Sequence, residues 1–353
     1  MTRNGLYVLA GALMFAISAL HASRTEAQTQ QQIDWCNNDG EVFSVDQRLS
    51  GCTALVESER ASRQDRAAGY GNRCWAYSDK GDPDRAIADC GEAIRLDPKL
   101  ASAYLNRGKA YSDEGDFDRA IADYNRAIEL NPKSSVGYNN LCDAYLDKGD
   151  NDRAITDCDE AIRLDPAFAV AYRNRGNAYR YKGEIGSAVA DYNKAIELNP
   201  KFFQAYLARG LLRFDAGELP KALADINQAS ALNPKDPYTA LWLEIVNNRS
   251  KLPSRLAEAT AQIDMTKWPA PVIRLYLGQM TPEAVLAAAA HRDASEQKRQ
   301  LCEANFFSGE LALQQGKKDD ATRLFLIAKE GCPKDSFQLI AANDELKALG
   351  AQP

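Results

Sequence analysis

Histidine is almost absent from this chain, which has two in 353 residues. His21 lies in an N-terminal apolar segment, so that His291 stands alone in the remainder of the sequence. Catalytic or metal sites built on paired imidazoles are excluded, because no pair is available. We therefore expect no metal, no cofactor and no enzymatic activity that depends on histidine.

Blocks of basic residues are also lacking. The chain has 43 Lys and Arg against 49 Asp and Glu, a formal net charge of −6. Proteins that bind nucleic acid mainly through phosphate contacts need concentrated positive charge, so we expect no nucleic-acid partner. A composition that is 45% hydrophobic and 26% charged is that of an ordinary folded protein.

The N-terminal apolar run is too short to cross a membrane comfortably. It extends over residues 6–20, well short of the roughly 20 residues that a spanning helix needs. Arg3 precedes it and the small residues Thr25 and Ala27 follow, a pattern typical of a cleavable signal peptide over residues 1–27. Ala22 and Ser23 offer competing cleavage sites, and an uncleaved anchor is the alternative.

The expected location is periplasmic or secreted, with no integral membrane span after cleavage. The first cysteine is Cys36, so no lipid acceptor follows the apolar run directly.

A repeat with a period of about 34 residues organises the middle of the chain, and internal periods of this length predict stacked helical hairpins. Proline recurs at this spacing, at Pro98, Pro132, Pro166, Pro200 and Pro234. Glycine recurs where two helices would join, at Gly81, Gly115, Gly149, Gly183 and Gly217. Two alanines in each unit, separated by two helical turns, share one helical face, where the small side chain lets helices approach closely.

These positions closely resemble the tetratricopeptide repeat (TPR). The resemblance implies an all-α fold, a right-handed α-solenoid of TPR hairpins, and we expect a less regular helical C-terminal portion. The expected segments are a signal peptide over 1–27, a degenerate N-terminal helical hairpin over 28–66, five tandem TPR repeats over 67–236, an irregular helical segment over 237–300, and a TPR-like hairpin with a closing helix over 301–350.

The eight cysteines are spaced as pairs that suit such hairpins. Three pairs share one separation and the fourth is almost twice as wide, namely Cys36 with Cys52, Cys74 with Cys90, Cys142 with Cys158, and Cys302 with Cys332. Residues equidistant from the turn of an antiparallel helix pair face each other. We therefore predict four local disulfides, each closing one hairpin in an oxidising compartment. The alternative is that cysteine only fills small or aromatic core positions as a buried hydrophobe.

The TPR resemblance also locates a groove for protein or peptide partners, since the first helix of each TPR lines the inner wall. Its candidate residues here are Trp75, Leu105, Lys109, Asn139, Asp143, Arg173, Asn177, Arg180, Leu207, Leu211 and Phe214. Arg173, Asn177 and Arg180 could hold a carboxylate, but a solvated polar face is the favoured interpretation. Leu207, Leu211 and Phe214 form an apolar stripe, which is more often covered by following helices than used by a ligand.

A second pattern joins the two helices of each hairpin. Arginine at the seventh position of a unit is followed by aspartate later in the same unit. The sequence separation between the two equals that between Cys36 and Cys52. The pairs are Arg73 and Asp89, Arg107 and Asp123, Arg175 and Asp191, and Arg209 and Asp225. A repeated ion pair within the hairpin is the simplest interpretation, and it carries no information about a partner.

Strings in the C-terminal third resemble the NlpI family. They are Leu241–Leu243, Trp268, Leu275–Gly278, Leu301–Gly309 and Asp320–Phe325. That family consists of bacterial envelope TPR lipoproteins that act as adaptors between cell-wall hydrolases and a periplasmic protease. The resemblance implies an envelope adaptor that can form a homodimer, although the lipid-acceptor cysteine of that family is missing here.

The sequence therefore predicts an exported scaffold or adaptor in envelope or cell-wall maintenance, without catalysis of its own. A periplasmic protease or a peptidoglycan-processing enzyme is the expected partner. One alternative is an assembly factor for an envelope secretion or polysaccharide-export machine. Another is an enzyme acting on cell-wall material, which would need convergent titratable groups that the repeat spacing does not supply.

Overall fold

The computed structural model describes residues 31, 33–36, 43–291, 294–333 and 336–351. The predicted signal peptide over residues 1–27 lies outside this part of the chain. The described residues form helices joined by turns, without a strand among them, and the predicted all-α TPR solenoid is confirmed. None of the described helices is both long enough and apolar enough to cross a bilayer.

The chain divides into two compact units, residues 1–133 and 134–353. The helices of the first unit are α1 Val45–Glu57, α2 Arg63–Asp79, α3 Pro83–Leu96, α4 Ala101–Asp113 and α5 Phe117–Leu130. Helices α2 and α3 form one antiparallel hairpin and α4 and α5 the next, while α1 packs against α2.

The second unit begins with three regular hairpins and continues with less regular helices. Its hairpin helices are α6 Ser135–Asp147, α7 Asn151–Leu164, α8 Ala169–Tyr181, α9 Ile185–Leu198, α10 Phe203–Asp215 and α11 Leu219–Leu232. The helices that follow are α12 Pro237–Arg249, α13 Leu256–Ala259, α14 Ala270–Tyr276, α15 Pro282–Ala288, α16 Ala294–Gln314, α17 Lys318–Gly331 and α18 Phe337–Ala348. Helices α16 and α17 form a further hairpin.

The turn inside each hairpin uses the glycine that the repeat predicted. Gly115 has a φ of 78°, a conformation that costs glycine little and other residues more. The chain can then reverse, and the N–H of Asp116 donates to the carbonyl oxygen of Tyr111 at 2.8 Å. The Asp116 carboxylate caps the next helix by accepting from the N–H of Arg119 at 3.0 Å.

The two helices of a hairpin are in close contact through one residue on each helix. These two residues have the same sequence separation as Cys74 and Cys90. A Cβ on Gly108 would lie 2.6 Å from the Tyr124 ring, and one on Gly176 would lie 2.7 Å from the Tyr192 ring. Glycine is needed here because the aromatic ring fills the space. Where cysteine replaces both members of this pair, the structure has the disulfides Cys74–Cys90 and Cys142–Cys158.

Two further disulfides lie outside the regular repeats. Cys36 is bonded to Cys52 of α1, and Cys302 of α16 is bonded to Cys332 after α17. All eight cysteines are therefore paired as the hairpin argument predicted, and no free thiol remains.

The predicted arginine–aspartate pairs are present in four hairpins. Arg107 contacts both oxygens of Asp123, at 2.7 and 2.8 Å, and Arg175 contacts those of Asp191 at 2.8 and 2.7 Å. The hydrogen bond to its aspartate is the largest cause that raises the pKa of Arg107 and of Arg175. Arg73–Asp89 and Arg209–Asp225 have the same geometry.

The hairpin with α6 and α7 lacks this ion pair. Leu141 occupies the position that holds arginine elsewhere, and Asp157 is the corresponding aspartate. Burial raises the pKa of Asp157 to about 6, and no arginine at that position offsets the effect.

The C-terminal strings singled out in the sequence form an aromatic core in the second unit. The Trp242 ring lies 5.4 Å from that of Phe306, and the rings of Phe306 and Phe307 lie 5.2 Å apart, centroid to centroid. Phe325 of α17 packs against Phe306 at 6.0 Å. These residues hold α12, α16 and α17 together, so their role in this structure is packing.

Candidate partner-binding groove

The predicted groove residues lie on the first helices of the hairpins, α2 and α4 in the first unit and α6, α8 and α10 in the second. In the first unit, Trp75 is half-buried beneath the guanidinium of Arg48, which lies 4.4 Å from the ring centroid. Arg48 also contacts Asp79 at 2.5 Å. Helix α1 therefore covers part of Trp75.

The other two candidates of the first unit are more accessible. Leu105 is half-buried on α4 and Lys109 is exposed one turn further on. The ammonium group of Lys109 contacts Asp113 at 2.8 Å, an exposed pair on one helix that adds little stability. This part of α4 can contact a partner without rearrangement.

In the second unit the polar candidates serve partly to join neighbouring helices. Asn139 of α6 is buried and accepts a hydrogen bond from the side chain of Asn174 on α8 at 3.1 Å. Asp143 is exposed on the same face of α6, one turn later. Asn139 is thus committed to the packing of α6 against α8, whereas Asp143 is accessible.

The three residues proposed to hold a carboxylate do not all share one open face. Arg173 is half-buried, with its guanidinium 5.8 Å from the Phe202 ring centroid. Asn177 accepts from the hydroxyl of Tyr192 at 2.8 Å. Arg180 is 4% exposed and contacts Asp215 of α10 at 2.5 Å. Arg173 and Asn177 remain partly accessible, while Arg180 is enclosed.

The apolar stripe is covered by later helices. Leu211 and Phe214 are buried, and Leu207 packs against the same core, which also contains Trp242 and Leu346. The Phe214 ring lies 6.0 Å from that of Trp242 on α12 and 5.7 Å from the guanidinium of Arg249. The stripe therefore belongs to the packed core, as expected if later helices cover it, and is not a free surface for a ligand.

The closing helix α18 covers residues at the end of α8 and contacts α12. Its first residue, Phe337, lies on the guanidinium of Arg180 at 4.1 Å and on the Tyr181 ring at 6.3 Å. Further along, Glu345 contacts Arg249 of α12 at 2.9 Å. The sequence predicted a closing helix at this point of the chain, but no local signal indicated that Phe337 contacts α8 or that Glu345 contacts α12.

A charged cluster with two buried carboxylates lies at the far end of α18. Arg249 contacts Glu310 of α16 and Glu345 of α18, both at 2.9 Å. Burial and the charge of Glu345 raise the pKa of Glu310. A cavity of about 320 Å³ opens beside the cluster, lined also by Tyr276 and Gln314. Sequence reasoning missed this cluster, because its members are 61 and 96 residues apart.

A second buried carboxylate belongs to Glu303 of α16. It accepts from the Trp268 indole N–H at 2.6 Å and from the Tyr238 hydroxyl at 2.9 Å. Burial raises the pKa of Glu303, and these two donors oppose that shift. The described residues contain no group of three or more His, Cys, Asp or Glu side chains able to hold a metal ion. No catalytic domain is evident in that part of the chain.

Comparison with known proteins agrees with this architecture. The sequence matches family models described as "Tetratricopeptide repeat" over residues 101–134 and 123–156, and as "TPR repeat" over 76–114, 143–180 and 176–217. Residues 76–217 therefore contain tetratricopeptide repeats. The TPR fold indicates a protein–protein interaction scaffold, because proteins of this fold bind peptides or other proteins.

Two of the solved structures similar to this chain have TM-scores that indicate the same fold, and a third is similar over part of the sequence. PilF of Pseudomonas aeruginosa is 17% identical with a TM-score of 0.50, over 61% of this chain and 98% of that one. The Cut9–Hcn1 assembly of the APC/C is 18% identical with a TM-score of 0.51, over 64% of this chain and 47% of that one. MamA is 29% identical over 47% of this chain and 95% of its own, with a TM-score of 0.40.

Proposed function

We propose that this protein is an exported adaptor that brings protein partners together in the bacterial envelope, in the maintenance of the cell wall. The observation that carries the proposal is the set of TPR hairpins with accessible side chains on their first helices, such as Lys109 and Asp143. Within each unit, successive hairpins present such side chains on their first helices to a protein partner.

Export is supported by two independent features. The N-terminal pattern of residues 1–27 is that of a signal peptide. The structure also pairs all eight cysteines in four disulfides, which persist in oxidising compartments such as the periplasm. The NlpI-like strings of the C-terminal third favour an envelope adaptor over other exported scaffolds. A periplasmic protease or a peptidoglycan-processing enzyme is the partner that this resemblance favours.

The proposal is tested by cross-linking intact cells and purifying the tagged chain from the periplasm. Recovery of a protease or a peptidoglycan-processing enzyme supports it, and recovery of neither contradicts it. Components of a secretion or polysaccharide-export machine would instead favour the assembly-factor alternative. Hydrolysis of cell-wall fragments by the purified chain would favour an enzyme.

Two charge-reversal variants test whether the first helices of the hairpins bind the partner. Lys109→Glu changes an exposed residue on the first helix α4, and Lys194→Glu changes a residue on the second helix α9. We expect Lys109→Glu to reduce the recovered partner and Lys194→Glu to leave it unchanged. The opposite result would assign partner binding to the outer helices.

A further inference from the structure

We propose that Tyr179, Glu184 and Ser187, around the turn between α8 and α9, form a binding site for an arginine side chain of a partner protein. We call these three residues the Tyr179 site. The proposal rests on the adaptor function proposed above and names a partner side chain and the place where it binds. It comes from a comparison among the hairpins of this chain, because three of them hold an arginine of their own at the corresponding place.

In these three hairpins an arginine of the second helix covers a tyrosine of the first. The guanidinium carbon of Arg119 lies 4.4 Å from the centroid of the Tyr111 ring, and its Nε donates to Asp116 at 2.6 Å. A guanidinium that stacks on an aromatic ring and also binds a carboxylate is in a favourable environment. The same arrangement, with ring distances of 4.5 Å and hydrogen bonds of 2.6 Å, is present in Tyr77–Arg85–Asp82 and Tyr145–Arg153–Asp150.

The hairpin of α8 and α9 keeps the ring and the acid but lacks the arginine. Two repeats after Tyr111, Asp116 and Arg119, the chain has Tyr179, Glu184 and Ser187. Arg175 lies 5.9 Å from the Tyr179 ring centroid, as Arg107 does from that of Tyr111. Among the described residues no second guanidinium lies over Tyr179, so this ring lacks the closely stacked partner that Tyr111 has.

The arginine that remains beside Tyr179 is shared between two carboxylates. Arg175 contacts Asp159 at 2.5 Å and Asp191 at 2.7 Å. Burial is the largest cause that raises the pKa of Tyr179, and both carboxylates add to this effect while Arg175 opposes it. The charge of Arg175 is therefore more than balanced by its own aspartates.

The neighbouring lysine is shared in the same way. Lys182 contacts Asp152 at 2.8 Å and Glu184 at 3.1 Å. In these contacts, together with those of Arg175, two cations serve four carboxylates. The excess of negative charge favours a positively charged occupant over a neutral or an acidic one.

The acid of the site is available to an incoming side chain. Asp116 caps its helix by accepting from a backbone N–H, whereas the side chain of Glu184 makes no such hydrogen bond at the start of α9. The side chain of Glu184 is 43% exposed, and Ser187 is exposed as well. A planar guanidinium can stack on the ring and bind the carboxylate at once, which favours arginine over lysine as the occupant.

The test uses the purified full chain with isotope-labelled tyrosine and follows the ring signals by NMR. The probe is the peptide acetyl-Gly-Arg-Gly-amide, and Tyr179→Phe assigns the signals of Tyr179. We expect these signals to shift until the peptide saturates the site. The same peptide with citrulline, which has nearly the shape of arginine without its charge, should bind at least about fivefold more weakly.

Two reciprocal variants locate the binding. Ser187→Arg recreates the arrangement of the other three hairpins, so the site is filled and the Tyr179 signals should no longer respond. Ser187→Ala is the matched control and should respond like the wild type. Arg119→Ser opens the corresponding site in the first unit, where the Tyr111 signals should then respond to the peptide.

Equal binding of the arginine and citrulline peptides, or an undiminished response in Ser187→Arg, would overturn the proposal. In the periplasmic purification, Ser187→Arg should recover about fivefold less partner than Ser187→Ala, since one stacked and paired arginine is lost from the interface. Equal recovery by these two variants would reject the Tyr179 site and leave the adaptor function standing.

Discussion

Gly108 and Tyr124 are in a contact that leaves no room for a side chain on the glycine. A Cβ at position 108 would lie 2.6 Å from one ring carbon of Tyr124 and 2.7 Å from the next. The same relationship joins Gly176 to Tyr192, and Gly309 to Phe325 in the last hairpin. This pair, with one member on each helix, sets the distance between the two helices of a hairpin.

Gly108→Ala should therefore destabilise the first unit by about 2 kcal/mol, the usual cost of overpacking a rigid core. Gly91→Ala is the matched control, since Gly91 lies inside α3 with no atom within 4 Å of its missing Cβ. It should stabilise the protein by about 0.5–1 kcal/mol through helix propensity. Urea denaturation measures both, and equal effects would contradict the packing argument.

The cysteine pairs occupy the same two positions as the Gly–Tyr pairs, so the two should be interchangeable. We expect Cys74→Gly with Cys90→Tyr to fold and to be more stable than the double serine variant, because the buried Tyr ring offsets part of the lost cross-link. Cys74→Ser with Cys90→Ser should lose about 3 kcal/mol, as estimated for a closed loop of about 16 residues. Thermal unfolding under non-reducing conditions compares them. An unfolded Gly–Tyr variant would show that the two hairpin types have different geometries.

The four disulfides can be checked directly in protein purified from the periplasm. Mass spectrometry of non-reduced peptides should find the pairs Cys36–Cys52, Cys74–Cys90, Cys142–Cys158 and Cys302–Cys332. Eight free thiols in the exported protein would reject the pairing.

Because Leu141 replaces the arginine that would pair with Asp157, the stability of the folded protein should depend on pH. The pKa of Asp157 is about 6 in the folded protein against 3.8 when unperturbed, so folding binds a proton between these values. Stability should fall as the pH rises through this window and then level off. Asp157→Asn should stabilise the protein at pH 7 by about 1 kcal/mol, after allowance for partial exposure, and have little effect below pH 4.

Asp123→Asn is the control for that variant, because it removes the partner of Arg107 in an intact ion pair. It should destabilise the protein at pH 7, since a half-buried guanidinium loses its carboxylate. A stabilising effect of both variants would show that the ion pairs do not support the hairpins.

The cluster at the end of α18 predicts that this helix opens more readily at high pH. Glu310 faces Arg249 of α12, Glu345 of α18 and Tyr276 of α14, and its pKa is raised to about 7. Departure of α18 removes the charge of Glu345, which lowers that pKa, so the attached state binds the proton more tightly. Exchange of α18 relative to α17 should increase from pH 6 to pH 8.

Glu310→Gln should reduce this pH dependence, because the glutamine cannot ionise. Hydrogen exchange at both pH values, with α17 as the internal reference, measures the change. An unchanged pH dependence in Glu310→Gln would assign the effect to another group.

The repeat pattern was sufficient to predict the hairpins, and the reason is local. Proline, glycine and alanine at fixed positions specify helix ends, turns and close helix contacts within one repeat of about 34 residues. The cysteine and arginine–aspartate pairs followed from the same local geometry, because residues equidistant from a turn face each other. These features needed no knowledge of distant contacts.

Which groove residues are covered and which are accessible depends on contacts between residues far apart in the chain. Nothing near Arg180 in the sequence indicates that Phe337 covers it, or that Glu345 reaches Arg249 across 96 residues. The positions lining the groove follow from the repeat period, but α18 is a short helix whose location is set by the packing of the second unit. The sequence alone thus determined the hairpins and their cross-links, while only the tertiary structure decided which part of the groove is filled.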